Sequence, residues 1–112
     1  MFPTLLLICV VRDQDTPRLL DTLRDRKISF TKLASTGGFL REGNTTLLIG
    51  IEEERREEVR DLIRKTCGRR EEIVESTIPL NEPIGPFVPQ RVKVTRGGGV
   101  LFEIPIEYYE RF

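Results

Sequence analysis

With 112 residues, 38% of them hydrophobic, the chain is long enough for one compact domain that needs no disulfide staple. Eighteen Lys and Arg balance eighteen Asp and Glu, so no overall positive field exists to hold a nucleic acid polymer or an anionic membrane. Histidine is absent, which excludes Ser-His and Cys-His catalysis and leaves a zinc site dependent on carboxylates.

The opening MFPTLLLICVV holds an apolar run too short to span a bilayer and lacks a basic leader or a small-residue cleavage site, so a cytoplasmic protein is expected. Within it, Leu5 to Val11 is continuously apolar and β-branched toward its end, as in a central strand covered on both faces. Asp13-Gln14-Asp15-Thr16 then supplies capping side chains and Pro17 a first helical position. Leu19, Leu20 and Leu23 recur on one face of a helix running to about Arg26.

Ile28 to Ala34 reads as a second strand. Thr45 to Ile51 reads as a third, with Leu47, Ile49 and Ile51 on one face and Thr46, Leu48 and Gly50 on the other. Glu52-Glu53-Glu54 opens a second helix, in which Val59, Leu62, Ile63 and Thr66 keep helical spacing and Gly68 offers a left-handed stop. Its mixed charges, from Glu54 to Asp61, form a solvated face with i,i+4 pairs rather than a site. Cys9 and Cys67 read as small buried hydrophobes.

Arg70 to Ser76 and Arg91 to Arg96 look like strands, and Gly97-Gly98-Gly99 turns the chain into Val100 to Ile106. Prolines at 79, 83, 86 and 89 make 77–90 a long loop, because proline cannot donate to a sheet ladder. The order strand, helix, strand, strand, helix, strand, with an extra C-terminal hairpin, is an α+β pattern of the ferredoxin-like βαββαβ kind, a single domain over 1–112.

The stretch 35–44 is the chemically suggestive one. Gly38 to Thr45 has the spacing of a phosphate-binding P-loop, but Asn44 replaces the lysine and the segment leads into a strand rather than a helix. Glycines here let a ligand approach the backbone closely; the alternative is a plain glycine-rich turn.

Thr31-Lys32-Leu33-Ala34-Ser35-Thr36-Gly37-Gly38-Phe39-Leu40, then Gly43-Asn44-Thr45-Thr46 and Ile49-Gly50, resemble the signature of the PII-like cyclic di-AMP receptor family. The likeness extends through Asp13-Gln14-Asp15, Val88-Pro89, Phe102, Pro105 and Phe112. It implies a ferredoxin-like protomer, a homotrimer, and one ligand in each groove between subunits. By this resemblance Gly37, Gly38, Phe39, Leu40 and Asn44 form the loop side of the pocket. Thr31 and Gly50 lie on flanking strands, and Phe102 comes from the C-terminal hairpin. Ser29 stands where relatives often carry an arginine, and Arg111, where a glutamine is often found, brings a guanidinium suited to phosphate.

The expected function is a non-enzymatic sensor of cyclic di-AMP, with no cofactor, that relays occupancy through 35–44 and 77–90 to a downstream protein. A mononucleotide such as ATP or AMP in the same groove is the alternative. An RNA-binding domain is disfavoured because Tyr108 and Tyr109 are too few and too terminal for a stacking platform. A carboxylate enzyme lacks two converging acids.

Overall fold

The computed structural model describes residues 2–38, 41–79 and 87–112, with backbone alone at 34–38, 41–42, 76–79 and 87–89. Among the described residues six strands and two α-helices follow in order: β1 (Leu5–Arg12), α1 (Thr16–Asp25), β2 (Phe30–Gly38), β3 (Arg41–Ile51), α2 (Arg56–Cys67), β4 (Arg70–Pro79), β5 (Phe87–Arg96) and β6 (Gly99–Pro105). Four strands form an antiparallel sheet in the order β2-β3-β1-β6, while β4 and β5 pair only with each other. The class is α+β, as the element pattern implies.

One sheet face is packed by both helices. Leu5, Leu7, Cys9 and Val11 of β1 join Leu47, Ile49 and Ile51 of β3, and meet Leu19 and Leu23 of α1 and Val59, Leu62, Ile63 and Cys67 of α2. Each helix turns its apolar stripe inward because these residues recur three or four positions apart. The other face is also apolar but uncovered. Register pairs Ile8 with Leu48 and with Phe102, Leu6 with Gly50 and with Ile104, and Val10 with Thr46 and with Val100. Phe102 is 55% exposed, Val100 and Ile104 of the same strand are exposed with it, and Leu33 is exposed on β2. The strand read as covered on both faces is thus covered on one within a single chain.

The partners of the last strands differ from the sequence expectation. The fourth place in the sheet is taken by β6 and not by Arg70–Ser76, and the extra hairpin is β4 with β5, paired from Arg70↔Arg96 out to Pro79↔Phe87. Much of the expected 77–90 loop is therefore ladder, and only 80–86 lie outside the described residues. A two-stranded ribbon tolerates Pro79 and Pro89 because each strand has an unpaired edge to which a missing donor can face. Likewise, 35–44 is largely hairpin: Ser35 pairs with Thr45, Thr36 with Asn44 and Gly38 with Arg41.

Two local expectations also change. Gly68 ends α2 in an extended conformation, φ −63°, not a left-handed one. Glycine is required there because a Cβ would sit 2.4 Å from the Arg64 carbonyl oxygen. The acidic residues before α1 make no side-chain cap. Asp13 instead accepts a hydrogen bond from the Thr45 hydroxyl.

Asp15 turns to the ribbon. It is only 3% exposed and receives Arg70 through both guanidinium nitrogens, at 2.8 and 3.3 Å, with Arg18 at 3.5 Å. Arg70 also meets Glu72 at 2.9 Å, Glu72 meets Arg96 at 3.0 Å, and Arg96 donates to Gln14 at 2.8 Å. Hydrogen bonds to Asp15 and then to Glu72 hold the Arg70 proton well above its ordinary range. This clasp fixes the base of a ribbon that otherwise projects from the body. The radius of gyration is 18.9 Å and the longest extent 66 Å, against roughly 13 Å for the radius of a compact chain of this length.

Removing Arg70 leaves the buried Asp15 carboxylate with only the longer Arg18 pair at 3.5 Å. Arg70→Met is expected to lose about 2–4 kcal/mol of unfolding free energy in urea denaturation. Arg24→Met, which breaks an exposed pair with Asp21, should change it by less than about 1 kcal/mol. Equal effects of the two variants would show that the clasp contributes nothing special.

Candidate ligand-binding site

The residues singled out from sequence fall at two ends of β3. At one end lie Asn44 and, across the hairpin, Gly37 and Gly38 at the close of β2. The side chain of Asn44 accepts a hydrogen bond from Arg12 Nη1 at 3.2 Å. Phe39 and Leu40, the apolar members of this set, lie outside the described residues. At the other end lie Gly50 and, nearby on β2, Thr31, which pairs with Leu48.

Asn44 and Gly50 share the uncovered face of β3 but are six residues apart, about 20 Å at the ~3.3 Å rise of a strand. Thr31, Leu48, Ile8 and Phe102 form one row across the sheet on that face. Phe102 stands three strand spacings from Thr31, about 14 Å at ~4.8 Å per spacing. One chain therefore does not gather all these groups around one compact ligand.

Each end has its own concavity. The Gly50 end opens into a groove of about 490 Å³ in which Thr31, Gly50 and Arg111 all take part, with Leu6, Leu48 and Tyr109 as apolar wall. This volume lies within the range typical of small-molecule sites. The C-terminal segment reaches it because Ile106 N–H donates to Thr4 O at 2.9 Å and Tyr109 packs on Phe2 with ring centroids 5.7 Å apart. The Asn44 end opens into a larger cleft of about 1080 Å³, walled by α2, the Gly97–Gly99 turn and β6, with Arg12, Arg60, Arg64 and Arg69 against Glu103 as its charges. Arg60 is committed to Glu103 at 2.7 Å.

Glycine has different reasons at these two places. A Cβ on Gly50 would meet the Pro3 side chain at 3.3 Å, a tight fit at the groove wall. On Gly99 it would meet the Val10 carbonyl oxygen at 2.4 Å, so β6 lies against β1 only with glycine there. The turn before it uses Gly97 and Gly98 at φ 77° and 93°, where side chains are disfavoured.

Sequence reasoning missed Arg12, Lys27 and Tyr109. Arg12 was legible only as the polar end of an apolar strand, and Lys27 as a residue after a helix. The sheet register and the helix stop bring Arg12 to the lining of the larger cleft and Lys27 to that of the groove. The cysteines offer no nucleophile: burial pushes Cys9 up to about 11 and Cys67 up to about 12, so both remain thiols at neutral pH. No group of three or more His, Cys, Asp or Glu among the described residues is placed to hold a metal ion.

The sequence pattern of the cyclic-di-AMP receptor family matches residues 4–112, and the chain belongs to that family. Its structure is similar to a crystal structure of a functionally unknown protein from Pediococcus pentosaceus ATCC 25745, 39% identical, with all of both chains covered and a TM-score of 0.76. Among the described residues no helix is long and apolar enough to cross a membrane.

The two glycines separate structure from site. Gly99→Ala is expected to lose about 1–3 kcal/mol of stability, since a backbone oxygen must move. Gly50→Ala should change it by less than about 1 kcal/mol, the lower chain entropy of alanine offsetting the Pro3 contact. Urea denaturation of both variants checks this, and a Gly50 loss as large as that of Gly99 would make Gly50 a packing residue.

Proposed function

From its membership in that family, we propose that the chain is a non-enzymatic sensor binding cyclic di-AMP in grooves between the subunits of a homotrimer. The observation that carries this reading is the separation of the candidate residues. Groups about 20 Å apart on one strand meet around one compact ligand only if the Asn44 end of one chain faces the Gly50 end of another. The uncovered face gives a reason for chains to associate, because an apolar area bounded by Leu6, Ile8, Val100, Phe102 and Ile104 is larger than isolated surface hydrophobes.

The chemistry matches the ligand. Two phosphodiesters need donors, and Thr31, the glycine backbone of 37 and 38, and Arg111 supply them. An adenine edge carries adjacent donor and acceptor, which the amide of Asn44 complements. The ring faces need apolar walls, and Phe39, Leu40 and Phe102 provide these. No catalytic step is assigned. Ligand acts by favouring one arrangement of the 35–44 hairpin and of the segment around 77–90, which a downstream protein then reads.

Two measurements test the reading. Calorimetric titration should give saturable binding of cyclic di-AMP, recovered intact, in preference to ATP or AMP. Asn44→Ala should bind about ten- to a hundredfold more weakly, a loss of ~1–3 kcal/mol. Preference for a linear mononucleotide would transfer the site to that ligand class, and unchanged affinity in Asn44→Ala would remove Asn44 from it.

Light scattering should report a trimer at micromolar concentration. Phe102→Glu is expected to yield folded monomer with no measurable cyclic di-AMP binding, because a carboxylate at the centre of the contact stays unpaired. A wild-type monomer that binds cyclic di-AMP would overturn the inter-subunit site while leaving the ligand.

A further inference from the structure

Helix α1 stops through a Schellman turn. Lys27 N–H donates to Arg24 O at 3.0 Å and Ile28 N–H to Leu23 O at 2.9 Å, while Ile28 and Leu23 are both buried in the core. Such turns place one residue in the left-handed region, where glycine is usual and asparagine next. Here it is Lys27, φ 56°, the one non-glycine with positive φ among the described residues. Glycine or asparagine would end this helix with less strain.

The helix end itself gives little reason for a lysine. Its carbonyl groups at 22, 23 and 24 accept backbone donors, and the Arg26 carbonyl accepts Arg55 Nη2 at 3.0 Å. Lys27 instead lines the 490 Å³ groove that contains Thr31, Gly50 and Arg111. The charged groups on this groove are Lys27, Arg55, Arg111 and Glu52. Arg55 is committed: it meets Glu58 at 3.0 and 3.1 Å, and its hydrogen bond holds the Glu58 carboxyl below its ordinary value. Among the described residues, Lys27 and Arg111 make no ion pair or side-chain hydrogen bond. The groove thus presents two uncommitted cations.

We propose that Lys27 is a ligand-binding residue that, with Arg111, matches the two phosphodiester charges of a cyclic dinucleotide. This rests on the cyclic di-AMP reading and adds to it a cation contributed by the helix stop. Ser29, two positions on and in the same groove, carries no charge, so the cation on this side of the groove comes from Lys27. A linear mononucleotide concentrates its charge on one phosphate or one contiguous phosphate chain and does not need two separated cations. Lys27 therefore bears on selectivity as well as on affinity.

The test uses substitutions that move stability and binding in opposite directions. Lys27→Asn keeps a residue at home in the left-handed region and deletes the charge, so the ligand-free melting temperature should hold or rise. Its affinity for cyclic di-AMP should fall about ten- to a hundredfold. Lys27→Arg should keep affinity within about threefold of wild type, since it retains the charge. Raising the salt concentration should weaken wild type more than Lys27→Asn, because the lost interaction is ionic. Lys27→Asn binding as tightly as wild type at low salt would overturn the proposal while leaving cyclic di-AMP as ligand. A wild-type protein that fails to bind cyclic di-AMP in the same titration would take down both.

Discussion

A four-stranded sheet with apolar side chains on both faces and two helices to cover it leaves one face open. In β1 the alternation is hydrophobic at every position from Leu5 to Val11, and in β6 the outward residues Val100, Phe102 and Ile104 are as apolar as a core. Covering the second face is worth about 25 cal/mol for each Å² of apolar surface removed from water, a gain that only another chain or a partner can realise. In the proposed trimer this unmatched face is the surface that association covers.

The ribbon presents the opposite problem. A two-stranded hairpin buries little and is marginal in isolation. Here it is held at its base by charge rather than by apolar packing. The Asp15 carboxylate is nearly sealed from water, and its stability depends on Arg70 arriving in bidentate geometry. Further out, Ile73 is 63% exposed and paired with Lys93, so the ribbon presents an apolar residue among charges of both signs.

The sequence makes legible what local pattern encodes. The spacing of Leu19, Leu23, Val59, Leu62 and Ile63 specifies both helices and their buried faces, and the alternation in 45–51 specifies β3 and its two faces. The glycine-rich stretch at 35–44 is visible as unusual, and its resemblance names a ligand class. Pairing partners are not local. Whether Arg70–Ser76 or Gly99–Pro105 sits beside β1 depends on competition for one sheet edge. That competition is decided by the close approach Gly99 permits to the Val10 carbonyl and by the charges that draw β4 to Asp15. Lys27 shows the same limit: its residue type says exposed lysine, and only the helix stop gives its φ and its place in the groove.

On the proposed reading, a composite site links ligand occupancy to assembly. A ligand that contacts two chains at once adds its binding free energy to their association, so occupancy and assembly are linked by mass action. Within one chain the Asn44 amide is tied to Arg12, and Arg12 lines the same cleft as the Gly97–Gly99 turn from which β6 departs and at which β5 ends. Gly98 N–H holds that turn to the Cys67 carbonyl at 2.7 Å, and Arg70 begins the other ribbon strand two residues beyond Gly68. The path from the Asn44 amide to both roots of the ribbon is therefore short, and it passes through a turn whose two left-handed glycines admit few alternative conformations once a side chain is added. A ligand that draws Asn44 toward an adenine edge acts on Arg12 through the same amide oxygen, and so on the wall against which the ribbon is seated.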